Sequence, residues 1–143
     1  MQRQLNELME YKRNKEIQQI SYPLDEVSRT IIENQSSAFT VLGSMTPLTI
    51  ASGVITVSSG FHEVDTESAA ASDDLDTINY EGIQDGTLLV LRAVDSGRTV
   101  VLKDGTGNLR LAGDFSLTHN RDTVTLIKGN AVWYEVSRSD NEA

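Results

Sequence analysis

Cysteine is missing from all 143 residues of this chain. Disulfides and thiolate metal sites are thereby excluded, and nothing in the sequence marks a redox compartment. Histidine occurs twice, as His62 and His119. Neither lies near a G-x-S-x-G elbow or another nucleophile context, so a hydrolytic triad is not expected. Basic residues are outnumbered, 12 Lys and Arg against 21 Asp and Glu, giving a formal net charge of -9. An acidic surface repels phosphate backbones, so no nucleic-acid partner is expected. Long apolar runs are lacking too. Nothing approaches a membrane-spanning helix, and the opening MQRQLNELMEYKRNK has no apolar core of a secretory signal. The expectation is a soluble chain, or one peripheral to a larger assembly, with no membrane partner. Its length suffices for one domain with a real core.

What is present is β-forming sequence. From Gly86 to Arg138, apolar runs alternate with short turn clusters: GTLLVLRAV (86–94), DSGR, TVVLK (99–103), DGTGN, a run over 109–118 broken at Gly113-Asp114, HNRD, TVTLIK (123–128), Gly129-Asn130 and AVWYEVS (131–137). Branched and aromatic side chains suit a pleated, half-buried surface, and Gly, Asn and Asp suit the turns between. Near-regular spacing of short strands points to a mainly β fold, an antiparallel β-sandwich, barrel or prism. Upstream, Thr49–Val57 reads as strand, turn, strand, with Ser52-Gly53 as the two-residue hairpin loop.

The first twenty residues are polar and helix-prone, free of Gly and Pro. Ser21-Tyr22-Pro23 interrupts them, since proline disfavours helical geometry in the residue before it. A second helix is expected over roughly 23–34, with Asp25 and Glu26 in its first turn, where they favour the positive end of the dipole. The division that follows is an N-terminal helical arm and linker over 1–46 and a β-domain over 47–143. The arm carries sparse apolar residues, Leu5, Leu8, Ile17, Ile20, Leu24, Val27 and Ile31, among mixed charge. Such a segment buries too little alone but can order on a partner surface, so these seven are the candidate attachment residues.

Residues 61–85 differ in kind, with eight carboxylates (Glu63, Asp65, Glu67, Asp73, Asp74, Asp76, Glu81, Asp85) and no Lys or Arg. Residues 61–67 alternate as one exposed strand. SAAASDDLDTI reads as a loop with a short helical turn capped by Ser72 or Asp73, and with Leu75 and Ile78 inward. Asp74-x-Asp76 followed by Glu81 and Asp85 invites a calcium site. The EF-hand pattern fails, because Ile78 stands where the third carboxylate belongs and Asn79 where the glycine belongs. A solvated acidic loop is the simpler reading, and no metal or cofactor is expected. Asp104-Gly-Thr-Gly-Asn108 lacks the Lys-Ser/Thr of a phosphate loop and reads as a β-turn. Trp133 and Tyr134 point to opposite faces of one strand, so one belongs to the core and the other to a surface or subunit contact.

The succession TIASGVITV, FHEVDTE, ASDDLDTINYEGIQDGTLLVLRA, RTVVLKDGTGNLRLAGDFSLTHNRDTVTLI and GNAVWYEVSRS, over residues 49–138, resembles β-modules of bacteriophage virion proteins. The shape D-G-T-G-N, then G-D-F, then G-N-x-x-W-x-E is similar to the distal β-domains of head fibres, tail fibres and capsid decoration proteins. The resemblance implies a non-enzymatic structural role on the exterior of the virion, usually as a homotrimer. It implies that the arm docks on the major capsid protein or another virion protein while the β-domain projects outward. A long repetitive shaft is lacking, which favours a head decoration protein or short head fibre. The alternatives are a tail fibre or tail-tip module binding a host cell-surface glycan, and a glycan depolymerase using paired carboxylates.

Overall fold

A computed structural model of the chain describes Arg3, Gln4, Asn6 and Glu7, then residues 41–142. Those first four residues are helical, with Arg3 Nε 4.0 Å from Glu7 Oε1 one turn on. Residues 41–46 of the expected arm and linker are described, while residues 1, 2, 5 and 8–40 lie outside the described residues. So do the helix expected over 23–34 and the attachment residues Leu5, Leu8, Ile17, Ile20, Leu24, Val27 and Ile31. The chain divides into two compact units, Met1–Val41 and Leu42–Ala143.

The second unit is mainly β. Its strands are β1 (Thr46–Thr49), β2 (Val54–Val57), β3 (Phe61–Asp65), β4 (Ser72–Leu75), β5 (Thr77–Tyr80), β6 (Leu88–Ala93), β7 (Thr99–Leu102), β8 (Leu109–Arg110), β9 (Phe115–Leu117), β10 (Thr123–Gly129) and β11 (Val132–Ser139). They form a six-stranded sheet in the order β1-β3-β6-β10-β11-β8, a three-stranded sheet β4-β7-β9 and a pair β2-β5. Period-two alternation sends one face of each sheet inward. Leu89, Leu91 and Ala93 from β6 meet Val100 and Leu102 from β7, Ile55 and Val57 from β2, and Trp133 from β11 in one core.

The pairing explains how three sheets share that core. β1 on β3, β3 on β6, β2 on β5 and β4 on β7 are all parallel. From β1 to β8 consecutive strands lie in different sheets, so the backbone winds from β1 to β2, from β3 through β4 to β5, and from β6 through β7 to β8. β1, β3 and β6 stack in one sheet, β2 and β5 in a second and β4 and β7 in a third, as a short β-solenoid of three sides, while β8 leaves the stack to pair with β11. The last third of the chain reverses this. β9 lies antiparallel on β7, β10 antiparallel on β6 and β11 antiparallel on β10, closing one end.

Five of the eight ladders among the described residues are parallel, which corrects the expectation of antiparallel pairing, while the mainly β fold in several sheets is as expected. The turn at Ser52-Gly53 has the expected chemistry and a different use. Ser52 and Gly53 do take positive φ, 51° and 81°, and Ala51 bridges Val54. Yet β1 and β2 do not pair. The turn is a corner of the coil, and the next round stacks on it: Asp76 N and Thr77 N both donate to Gly53 O at 3.0 and 3.2 Å. Hairpin and corner ask the same of two residues, and only distant partners distinguish them. Among the described residues, the one two-residue hairpin loop that joins paired strands is Asn130-Ala131, φ 50° and 66°, between β10 and β11.

Two further expectations change. Residues 61–65 are not an exposed strand but run between β1 and β6, with His62 and Val64 fully buried. Residues 72–80 hold two strands where a loop with a helical turn was expected. The tight turn lies earlier, at Glu67–Ala69, and Asp73 Oδ2 accepts its first N–H at 2.7 Å. Leu75 and Ile78 point inward as expected.

Candidate functional site

The motif D-G-T-G-N forms the bend from β7 to β8, and each of its polar ends has a task. Gly107 passes so close to β5 that a Cβ there would lie 2.1 Å from Asp76 O. That approach lets the Asn108 amide reach the main chain of Ile78. Asn108 Oδ1 accepts from Ile78 N at 2.9 Å, and Nδ2 donates to Ile78 O at 2.8 Å. The side chain thus stands where a neighbouring strand would, on the edge of the β2-β5 pair. Trp133 joins it: Trp133 N donates to Asn108 O at 2.8 Å and Nε1 donates to Ile78 O at 3.2 Å. Trp133 is fully buried and meets Tyr80 edge-to-face at 6.1 Å. Of the Trp133 and Tyr134 pair, the inward member is therefore Trp133, while Tyr134 faces out.

Asp104 and G-D-F form a second cluster with W-x-E. Asp114 Oδ1 accepts from Asp104 N at 2.8 Å, Asp104 Oδ1 accepts from Leu111 N at 2.8 Å, and Lys103 pairs with Asp114. The Lys103 ammonium holds the Asp114 carboxyl below its ordinary range. Glu135 binds Arg138 in a two-pronged pair, 2.5 and 2.7 Å, and accepts from Ala112 N at 2.8 Å. Arg138 draws the Glu135 carboxyl below its usual value and reaches on to Gly113 O at 2.9 Å and over the Phe115 ring. The clamp ties the last strand to the bend before β9.

The acidic stretch is not a solvated loop, another correction. Glu63 pairs with Arg92 at 2.5 Å and Asp65 with Arg98 at 2.9 Å, on the outward side of the six-stranded sheet. Asp76 accepts from Thr77 Oγ1 at 2.7 Å. Asp85 pairs with the buried Lys128 at 2.7 Å, and that Lys128 bond holds the Asp85 carboxyl low. The calcium candidates Asp74, Asp76, Glu81 and Asp85 are not brought together, and among the described residues no three carboxylates or histidines gather as a metal site. The histidines are separated in role. His62 is buried, with Nδ1 2.8 Å from Thr46 O and Nε2 accepting from Ser58 N and Ser59 N, both at 3.1 Å. His119 sits in the turn before β10, whose organiser is Asp122. Burial alone would push the Asp122 carboxyl up, but N–H donors from Asn141, His119 and Thr118, with the Thr118 hydroxyl, outweigh it and hold the group low.

Tyr134, the member of the Trp133 and Tyr134 pair that meets the expected surface or subunit contact, has apolar neighbours that the sequence did not point to. On the outward face of the six-stranded sheet, Leu88, Ile127 and Tyr134 lie in register across β6, β10 and β11. Val136 sits at the bulge where β11 slips against Thr125 and Leu126. Leu88 is 41%, Tyr134 45% and Val136 55% exposed. The signal lay in LLVL at 88–91, apolar at four consecutive positions. A strand with only one buried face alternates, and an unbroken run marks a strand covered on both sides. No protein-family model matches the sequence, and no curated protein matches it.

Proposed function

We propose that this chain is a structural protein of the bacteriophage virion, a trimeric head decoration protein or short head fibre without enzymatic activity. In this reading the helical arm within 1–46 anchors it to the major capsid protein or another virion protein, through Leu5, Leu8, Ile17, Ile20, Leu24, Val27 and Ile31. The β-domain projects outward. One observation carries the reading: the residues of the phage-like motifs are consumed in internal wiring. Asn108 of D-G-T-G-N ties β8 to Ile78, Asp114 of G-D-F ties its bend to Asp104, and Glu135 of W-x-E ties β11 to Ala112. A motif that codes for rigid stacking rather than for a shared cleft suits a particle component. Three carboxylates of the acidic stretch, Glu63, Asp65 and Asp85, are engaged with Arg92, Arg98 and Lys128.

Immunogold labelling of intact virions with antibody against the β-domain tests this. Gold on the heads is expected. Gold confined to the tail tip would assign the chain to receptor binding and sink the head reading. Particles that carry no label, while the purified protein does, would overturn the virion role.

A further inference from the structure

The three sheets treat their outward faces differently. The pair β2-β5 presents Thr56 and Asn79, and the sheet β4-β7-β9 presents Ser72, Asp74 and Ser116, all exposed, around the single half-buried Val101. The six-stranded sheet instead presents Leu88, Ile127, Tyr134 and Val136, with half-buried Phe61 and Val90 beside them in register. A contiguous apolar patch on a sheet whose other face already holds the core marks an interaction surface. Its charge says what covers it. The chain carries a formal net charge of -9, so two copies repel over most of their surface. On this face, however, Glu63 is matched by Arg92 and Asp65 by Arg98. The patch is therefore flanked by balanced pairs and is a place where two such acidic molecules can approach without a charge penalty.

We infer that the outward face of the six-stranded sheet, centred on Leu88, Ile127, Tyr134 and Val136, is the contact between copies of this chain. Three copies with these faces turned to a common axis bury one patch each, and the bulge at Val136 pushes a branched side chain towards the axis. The inference rests on the homotrimer reading and adds where the copies meet.

Light scattering on the full chain tests it, with Leu88→Glu, Tyr134→Glu and Val136→Glu as separate variants. Thr56→Glu, on the outside of β2, is the control for added charge. The wild type and Thr56→Glu are expected at about three times the 15.7 kDa chain mass. The face variants are expected at one chain mass at micromolar concentration, with unchanged far-ultraviolet circular dichroism and unchanged emission from the single tryptophan. Val136→Glu is the most secure of the three, because its side chain is the most exposed. A trimeric wild type whose folded face variants all remain trimeric would overturn this assignment and leave the homotrimer standing. A monomeric wild type would overturn both.

Discussion

Replacing Asn108 tests the closure of the coil most directly. In Asn108→Ala the Ile78 N–H, on a fully buried residue, loses its acceptor. An orphaned buried donor costs about 1–3 kcal/mol. The Ile78 carbonyl loses one donor but keeps Trp133 Nε1 at 3.2 Å, so that side costs about 0.5–1.5 kcal/mol. The expected loss is about 2–4 kcal/mol, a large share of the 5–15 kcal/mol usual for a domain. At about 4–8 °C per kcal/mol, the midpoint should fall by about 8–32 °C. Asn108→Asp separates the two bonds. Its carboxylate still accepts from Ile78 N but sets a second oxygen against Ile78 O, so it is destabilised at neutral pH. The charged form is the disfavoured one in the folded state, so stability relative to wild type should recover as pH falls and the protonated carboxyl donates to Ile78 O. Urea titrations followed by Trp133 emission, at one protein concentration, give both numbers. A cost below about 0.5 kcal/mol for Asn108→Ala, or an Asn108→Asp penalty flat with pH, would refute the strand-mimic role.

Trp133→Ala should cost about 3–5 kcal/mol by circular-dichroism melting, because the side chain is wholly buried, while Tyr134→Ala should cost under about 1 kcal/mol in the dissociated chain. Ala131 holds a φ of 66°, a region that costs a non-glycine residue roughly 1–2 kcal/mol. Ala131→Gly returns about 0.4–1 kcal/mol of that through a freer unfolded chain, so a net gain of about 0.5–1 kcal/mol is expected in urea unfolding. Asp122 has a depressed folded pKa, so its contribution is present above the unfolded value near 3.9 and is lost as pH falls from about 4 through the folded value. Asp122→Asn should therefore flatten the acid limb of the stability-versus-pH curve, and an unchanged limb would assign acid unfolding to other carboxylates.

The strands were legible because their signal is local. All five runs between Gly86 and Arg138 hold strands, and the break at Gly113-Asp114 is where β8 gives way to β9. The partners were not legible. Ser52-Gly53 and Asp95–Arg98 carry the residues of hairpin loops, yet both turn the chain between sheets, since nothing within four residues says whether the next strand folds back or stacks on a later round. The strands at 72–80 were hidden by Asp73, Asp74 and Asp76, which β propensity disfavours. Their cost is offset by pairing with β7 and β2, a nonlocal term. The individual motif residues could be singled out, but their tasks could not. That Asn108 serves Ile78 is a fact about positions 30 residues apart.

The closure at Ile78 also sets an order in time. Its main-chain groups wait for Asn108, 30 residues after Ile78, and then for Trp133, 55 residues after it. Ladders between distant segments must meet the entropy of loop closure before they stabilise anything, which places such folds among the slow ones, milliseconds to seconds. During synthesis at about 5–20 residues per second, β6 and β7 would be exposed for seconds before β10 and β9 arrive to cover their edges. Both are rich in Leu and Val, so the half-made chain is at its stickiest just before it can finish. Overproduction in a foreign host should therefore be limited by how soon β9, β10 and β11 dock, and lower growth temperatures should raise the soluble yield more than a stronger promoter does.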